Sequence, residues 1–145
     1  MLAFTPLFVI IAPAFADSVV IIEVELNPSG TDAGNEWIKL FNFDSKPIDL
    51  SGWKVLTDDG GAYTISNLTL SACTETIIFF SSQFLYNQQE ILTLIGTNQN
   101  LVDQTPAITD TNNDGTTWSV TMPIVNLQYL LKFNLMRLLH FLMIF

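Results

Sequence analysis

Basic side chains are scarce: the 145 residues hold 5 Lys plus Arg against 14 Asp plus Glu, for a formal net charge of −9. Gripping a phosphate backbone takes clustered Lys and Arg, so the expected partners do not include nucleic acid. There is one cysteine, Cys73, which excludes an intrachain disulfide framework and a Cys-rich zinc site. A lone thiol neither demands nor forbids an oxidising compartment. The single histidine, His140, excludes a multi-His metal centre within one chain. It lies in an apolar tail, away from any Ser or Cys nucleophile, so neither a Ser-His-Asp nor a Cys-His arrangement is expected. No Gly-x-Gly-x-x-Gly or P-loop spacing occurs. Charged residues make up only 13% and hydrophobic ones 49%, which excludes disorder as the main state. The length is enough for one domain.

Charge is also unevenly placed. Met1–Ala16 carries none, and no acid follows Asp114. Residues 1–16 are expected to be a secretory signal peptide: Leu7–Ala12 is a short apolar run, and Ala14-Phe15-Ala16 has the small-x-small form of a cleavage site. No Lys or Arg precedes the run. The alternative, an apolar core strand, is opposed by Pro6 and Pro13. The expected location is extracellular or at the cell surface. In an exported chain, Asn67-Leu68-Thr69 would be an N-glycosylation sequon.

The middle, residues 17–122, is expected to be all-β. Val19–Leu26 is a β-branched and aliphatic run with Glu23 and Glu25 interleaved on one wet face, and Asn27-Pro28-Ser29-Gly30 ends it with turn chemistry. Further strands are expected at Trp37–Phe43, at the end of the bend Ile48–Leu56, at Ala62–Ile65, at Thr76–Phe80 as a buried apolar strand, and at Phe84–Tyr86, Ile91–Ile95, Leu101–Asp103 and Thr117–Val120. Asp58-Asp59-Gly60-Gly61 is a turn between two of them. Short strands at regular spacing, with no long amphipathic helix among them, indicate an antiparallel sandwich or barrel.

Three motifs in order resemble the lamin-tail domain family. They are Val20-Ile21-Ile22-Glu23-Val24 ahead of Asn27-Pro28, then Asn35-Glu36-Trp37-Ile38-Lys39-Leu40-Phe41-Asn42, then Asp49-Leu50-Ser51-Gly52-Trp53. The likeness runs from Ser18 to about Trp118 and is to secreted prokaryotic members in particular. It implies an immunoglobulin-like β-sandwich with Glu36, Trp37, Gly52, Trp53 and Trp118 as its structural signature. It also implies a non-enzymatic role as an interaction or attachment module, binding a protein or cell-envelope component. Prokaryotic relatives often occur beside secreted hydrolases and nucleases, so an accessory-domain origin is a second implied reading. Relatives usually continue past the position of Trp118 with a basic residue, a Pro-Asp-Gly turn and a final strand. Here Ser119-Val120-Thr121-Met122-Pro123 follows, so the last strand is expected to be missing or replaced.

The residues themselves suggest roles. Gly52 lets the chain bend ahead of Trp53. Trp37 and Trp53 offer large surfaces that a small core would bury. Glu36 and the Asp58/Asp59 pair could serve acid–base chemistry, but binding turn amides or facing water is the preferred reading. Asp110-Thr111-Asn112-Asn113-Asp114-Gly115 has the opening of a calcium loop, with Asp110, Asn112 and Asp114 as ligands. An EF-hand would carry a bidentate Glu where Thr121 stands, and no flanking helices are expected. The segment is therefore either a weaker extracellular calcium site or a turn capped by its own Asx side chains, the turn being preferred. No other cofactor is expected.

Residues 123–145 form an apolar tail. From Ile124 onward the only polar positions are Asn126, Gln128, Lys132, Asn134, Arg137 and His140. Lys132 and Arg137 near its middle oppose a transmembrane helix, since each costs about 2.5–3.5 kcal/mol at the bilayer centre. A frameshift would produce so abrupt a change of composition. Membrane association is the second reading, and it holds only if the tail is genuine.

Overall fold

The computed structural model describes residues 19–120. The signal-peptide segment 1–16 and the tail 123–145, with Lys132, Arg137 and His140, lie outside the described residues. So does the stretch after Val120, where the last strand is expected to be missing or replaced.

The described chain is built from strands and turns, without a helix. In order they are β1 (Val19–Glu25), β2 (Trp37–Asn42), β3 (Ile48–Asp49), β4 (Lys54–Leu56), β5 (Ala62–Thr64), β6 (Thr69–Leu70), β7 (Glu75–Phe79), β8 (Thr93–Ile95), β9 (Leu101–Gln104) and β10 (Trp118–Ser119). One four-stranded sheet has the order β10-β1-β2-β7, the other β5-β4-β8-β9, and β3 pairs with β6 in a small third ladder. Every pairing is antiparallel. The result is an immunoglobulin-like β-sandwich.

The core between the two larger sheets is aliphatic. Val19, Ile21, Val24, Ile38 and Leu40 face it from the first sheet, and Val55 and Leu94 from the second. Leu26, Leu50, Leu85 and Leu92 fill in from the connections. A β-bulge between Ile21 and Glu23 makes this packing possible. Strict alternation from Val19 would turn Glu23 and Glu25 inward. The extra residue, Ile22, resets the phase so that Val19, Ile21 and Val24 all point into the core. The Asp103 carboxylate in β9 accepts the Ile21 amide at 2.7 Å, joining the two sheets beside the bulge.

Asn42 closes the other end of the first sheet. It is fully buried, its amide nitrogen donates to the carbonyls of Lys46, Leu70 and Ser71, and its Oδ1 accepts the Asp44 amide at 2.8 Å. This one side chain ties β2 to the β3–β6 ladder. Gly52 has φ +84° in the Leu50–Trp53 turn, a conformation that costs glycine little.

Four expectations are corrected. Thr76–Phe80 is not a buried strand: β7 lies at the edge of the first sheet and leaves Ile77 and Phe79 exposed. Phe84–Tyr86 is not a strand; it belongs to the long connection from β7 to β8, and its amides point to carboxylates. Trp37 is not in the core: it is half-buried on the outer face of the first sheet, where its β2 position places it opposite Glu25 and Phe79. Glu25 is not on a wet face, being 4% exposed.

Candidate functional site

Three features have the chemistry or exposure to act. The first is the connection 80–92, where three successive amides are taken by two buried carboxyls. Glu36 Oε2 accepts the amides of Phe84 at 2.6 Å and Leu85 at 3.1 Å. Glu90 Oε2 accepts that of Tyr86 at 2.7 Å. Phe84 also anchors the segment through its ring, 4.5 Å from that of Phe80. Glu36 is fully buried and Glu90 nearly so, and in both the second oxygen, Oε1, has no hydrogen-bond donor. Burial pushes the Glu36 carboxyl above its usual range against the pull of the two amides, with Asp32 adding repulsion. Glu90 is raised by burial too, the Tyr86 amide opposing and Asp58 adding to the shift. A carboxyl sealed behind two backbone amides offers a substrate no approach. Glu36 is thus placed as a structural acceptor.

The second feature is the outer face of the sheet β10-β1-β2-β7. The edge strand β7 exposes Ile77 by 44% and Phe79 by 56%. Beside them on β2, Lys39 is ion-paired with Glu23 and lies 5.6 Å from the centroid of the Trp37 ring. The pair lowers the Glu23 carboxyl, chiefly through the Lys39 hydrogen bond. Thr117 also donates to Glu23, at 2.8 Å. An apolar edge next to a fixed charge pair suits protein contact.

The third is the turn carrying Asp110, Asn112 and Asp114. It borders an open pocket of about 420 Å³ lined by Ile108, Asp110, Asn112, Thr116 and Trp118 among others. Its side chains are largely occupied by the turn itself. Asp110 Oδ1 accepts the Asn112 amide at 2.9 Å, Asp114 Oδ1 the Thr116 amide at 3.0 Å, and Asp110 Oδ2 the Thr116 hydroxyl at 3.3 Å. Asn113 holds the turn to Gly30, donating to its carbonyl at 2.9 Å and accepting from its amide at 2.6 Å. Glu25 lies nearby, and its carboxyl is raised by burial first and then by Asp110 and Asp114. Among the described residues no three acidic, His or Cys side chains converge as a metal-ligating group.

The remaining signature residues are dispersed. Trp53 and Trp118 are partly buried against the core, Trp118 beside Val24 across the β1–β10 pair. Asp58 and Asp59 sit at the tip of the β4–β5 hairpin, where Asp59 accepts the Thr57 hydroxyl and the Gly61 amide. Asn67 is exposed with φ 51°. Cys73 is half-buried, its thiol 3.4 Å from the Asp44 carbonyl. Glu90, Asn42 and Asp103 carried no sequence signal for these roles, and the apolar run holding Ile77 and Phe79 pointed to burial rather than exposure. Each acquires its role from residues distant in the chain.

A family model described as Lamin Tail Domain matches residues 13–122. Among curated proteins none matches this chain.

Proposed function

The chain belongs to the lamin-tail domain family, and from that premise we propose that it is a binding module of the cell surface, with no catalysis of its own. Its contact surface is the outer face of the β10-β1-β2-β7 sheet. The observation that carries this reading is the exposure of Ile77 and Phe79 on an edge strand beside the half-buried Trp37. Exposed neighbouring apolar side chains on a small domain favour association with another macromolecule. The net charge of −9 turns that partner away from nucleic acid and toward a protein or envelope component. The charge-free segment Met1–Ala16 supports export. Burial of Glu36 and the turn bonds of Asp59 support the non-catalytic part.

The test combines localisation with a surface variant. The full chain, tagged internally in the exposed 97–100 turn, is expected to be reached by protease added outside intact cells and to be retained on envelope preparations. The double variant Ile77→Ser, Phe79→Ser should keep its melting temperature and lose retention. A protease-protected chain rejects the location, and undiminished retention of the variant rejects the surface.

A further inference from the structure

Strand β7 is an open edge of the first sheet, and its backbone is unpaired on one side. The Asn42 amide donates to the Thr74 carbonyl at 2.9 Å and the Phe80 amide to the Glu36 carbonyl at 3.0 Å. Between these bonds the β2–β7 register runs without a shift. By antiparallel alternation, Thr74, Thr76, Ile78 and Phe80 bond toward β2, while the amides and carbonyls of Glu75, Ile77 and Phe79 point away from the sheet. Among the described residues, none of these outward groups has a hydrogen-bond partner. The other sheet edges are blunted: β10 has two residues, β5 has three, and β9 carries a register shift against β8. Strand β7 has five residues, with no Lys, Pro or bulge to deter a neighbour.

We propose that β7 pairs antiparallel with β7 of a second copy of this chain, joining two first sheets into one continuous sheet. A two-fold axis at Ile77 pairs the whole strand: Ile77 with its own copy, Thr76 with Ile78, and Glu75 with Phe79. That register sets the three outward-bonding residues opposite one another in hydrogen-bonded pairs. Each Glu75 then meets Phe79 and not the other Glu75, so no like charges face each other. Across the seam Ile77 meets Ile77 directly and Phe79 diagonally, on the outer face. The occupant is a second copy because its β7 is already extended and held by β2. It pairs without the ordering cost that a disordered peptide carries. The net charge of −9 on each copy opposes the pairing at low salt. Five residues a side fall short of the roughly 20–30 of a standard interface, so the dimer is weak, with a Kd on the order of 10⁻⁵ M.

The experiment is disulfide trapping of the purified full chain in about 0.15 M salt, with Cys73→Ser as the background. Opposed Cα atoms of a hydrogen-bonded antiparallel pair lie about 5.5 Å apart, within disulfide reach, so Ile77→Cys should cross-link into a dimer on mild oxidation. Phe79→Cys should not, because its two copies are separated by about 13 Å along the seam. Sedimentation of the unmodified chain from about 5 to 500 µM should show monomer giving way to dimer. Ile77→Pro removes an outward amide and leaves the β2 ladder whole, so it should keep the fold and lose the dimer. Glu75→Pro, at the first position of the strand, replaces it if that variant does not fold. Three results each overturn the proposal: no dimer at the highest concentration, equal cross-linking of the two cysteine variants, or a dimer that persists in a folded proline variant. The pairing uses the same strand as the proposed binding surface, and the two fail separately. A chain retained on envelopes without cross-linking rejects the pairing alone, and one that cross-links without retention rejects the binding role alone.

Discussion

Replacing Glu36 by Ala should be among the most damaging single changes in this chain, while replacing it by Gln should be mild. Alanine leaves two amides without an acceptor: that of Leu85, a residue 1% exposed, and that of the half-buried Phe84. An orphaned buried amide costs about 1–3 kcal/mol, so the pair comes to about 3 kcal/mol before any cavity is counted. That is a large share of the roughly 5–15 kcal/mol that holds a typical domain together. Glutamine keeps an acceptor oxygen for both amides and nearly the same volume. Its NH₂ falls where Oε1 now stands without a donor, and this is the position a proton occupies when the carboxyl is neutral. Since burial raises the carboxyl's pKa, the glutamine variant imitates the protonated wild type and should cost under about 1 kcal/mol. Urea unfolding followed by tryptophan fluorescence measures both. If the alanine variant loses less than about 1 kcal/mol, or glutamine costs as much as alanine, the two-amide account of Glu36 is wrong.

Asn42→Leu removes the donors to three carbonyls and the acceptor for the Asp44 amide, and should cost about 3 kcal/mol in the same urea assay. Gly52→Ala forces a side chain into φ +84° with its Cβ 3.2 Å from Thr97 Cγ2, which should cost about 1–2 kcal/mol, read as a lower melting temperature. Stability should also fall as pH rises. Glu36 and Asp103 are raised chiefly by burial, so their contributions are complete below the unfolded carboxylate pKa of about 4 and are lost as pH climbs through their folded values. Glu23, lowered by Lys39, loses its contribution only in stronger acid, so the urea midpoint should be higher at about pH 5 than at about pH 8. Equal midpoints would contradict the burial argument.

The long strands were legible because their residues repeat a pattern. Val19–Glu25 and Trp37–Asn42 are rich in β-branched and aliphatic side chains and appear as β1 and β2. The Asp58–Gly61 turn is a hairpin tip, as its composition indicates. The β3–β6 ladder was not legible, because two-residue strands have no periodicity to detect. Phe84–Tyr86 has strand composition but donates its amides to side chains, a choice made by Glu36 and Glu90 from elsewhere. Trp37 misled because size argues for burial, whereas its place in β2 is fixed by Ile38 and Leu40, which take the inner face. Within the 110–116 turn, Asp110 and Asp114 each accept the amide two residues on, bonds that the Asp and Asn spacing makes readable locally.

The bulge in β1 makes the chain's tolerance of change depend on counting. Ile22 is half-buried and pairs with no β2 residue, so its side chain is among the more replaceable in the strand. Deleting Ile22 would set Ile21 and Glu23 side by side opposite Leu40 and Lys39, which are already adjacent on β2, so Val19, Ile21 and Val24 would keep their inward faces. What such a deletion would remove is the bend and added twist that a bulge gives its strand. In β2, whose pairing with β7 runs without an extra residue, losing one position would instead turn over every side chain on one side of the gap. Within the first sheet, a change of length is therefore far milder at Ile22 than in the neighbouring strand.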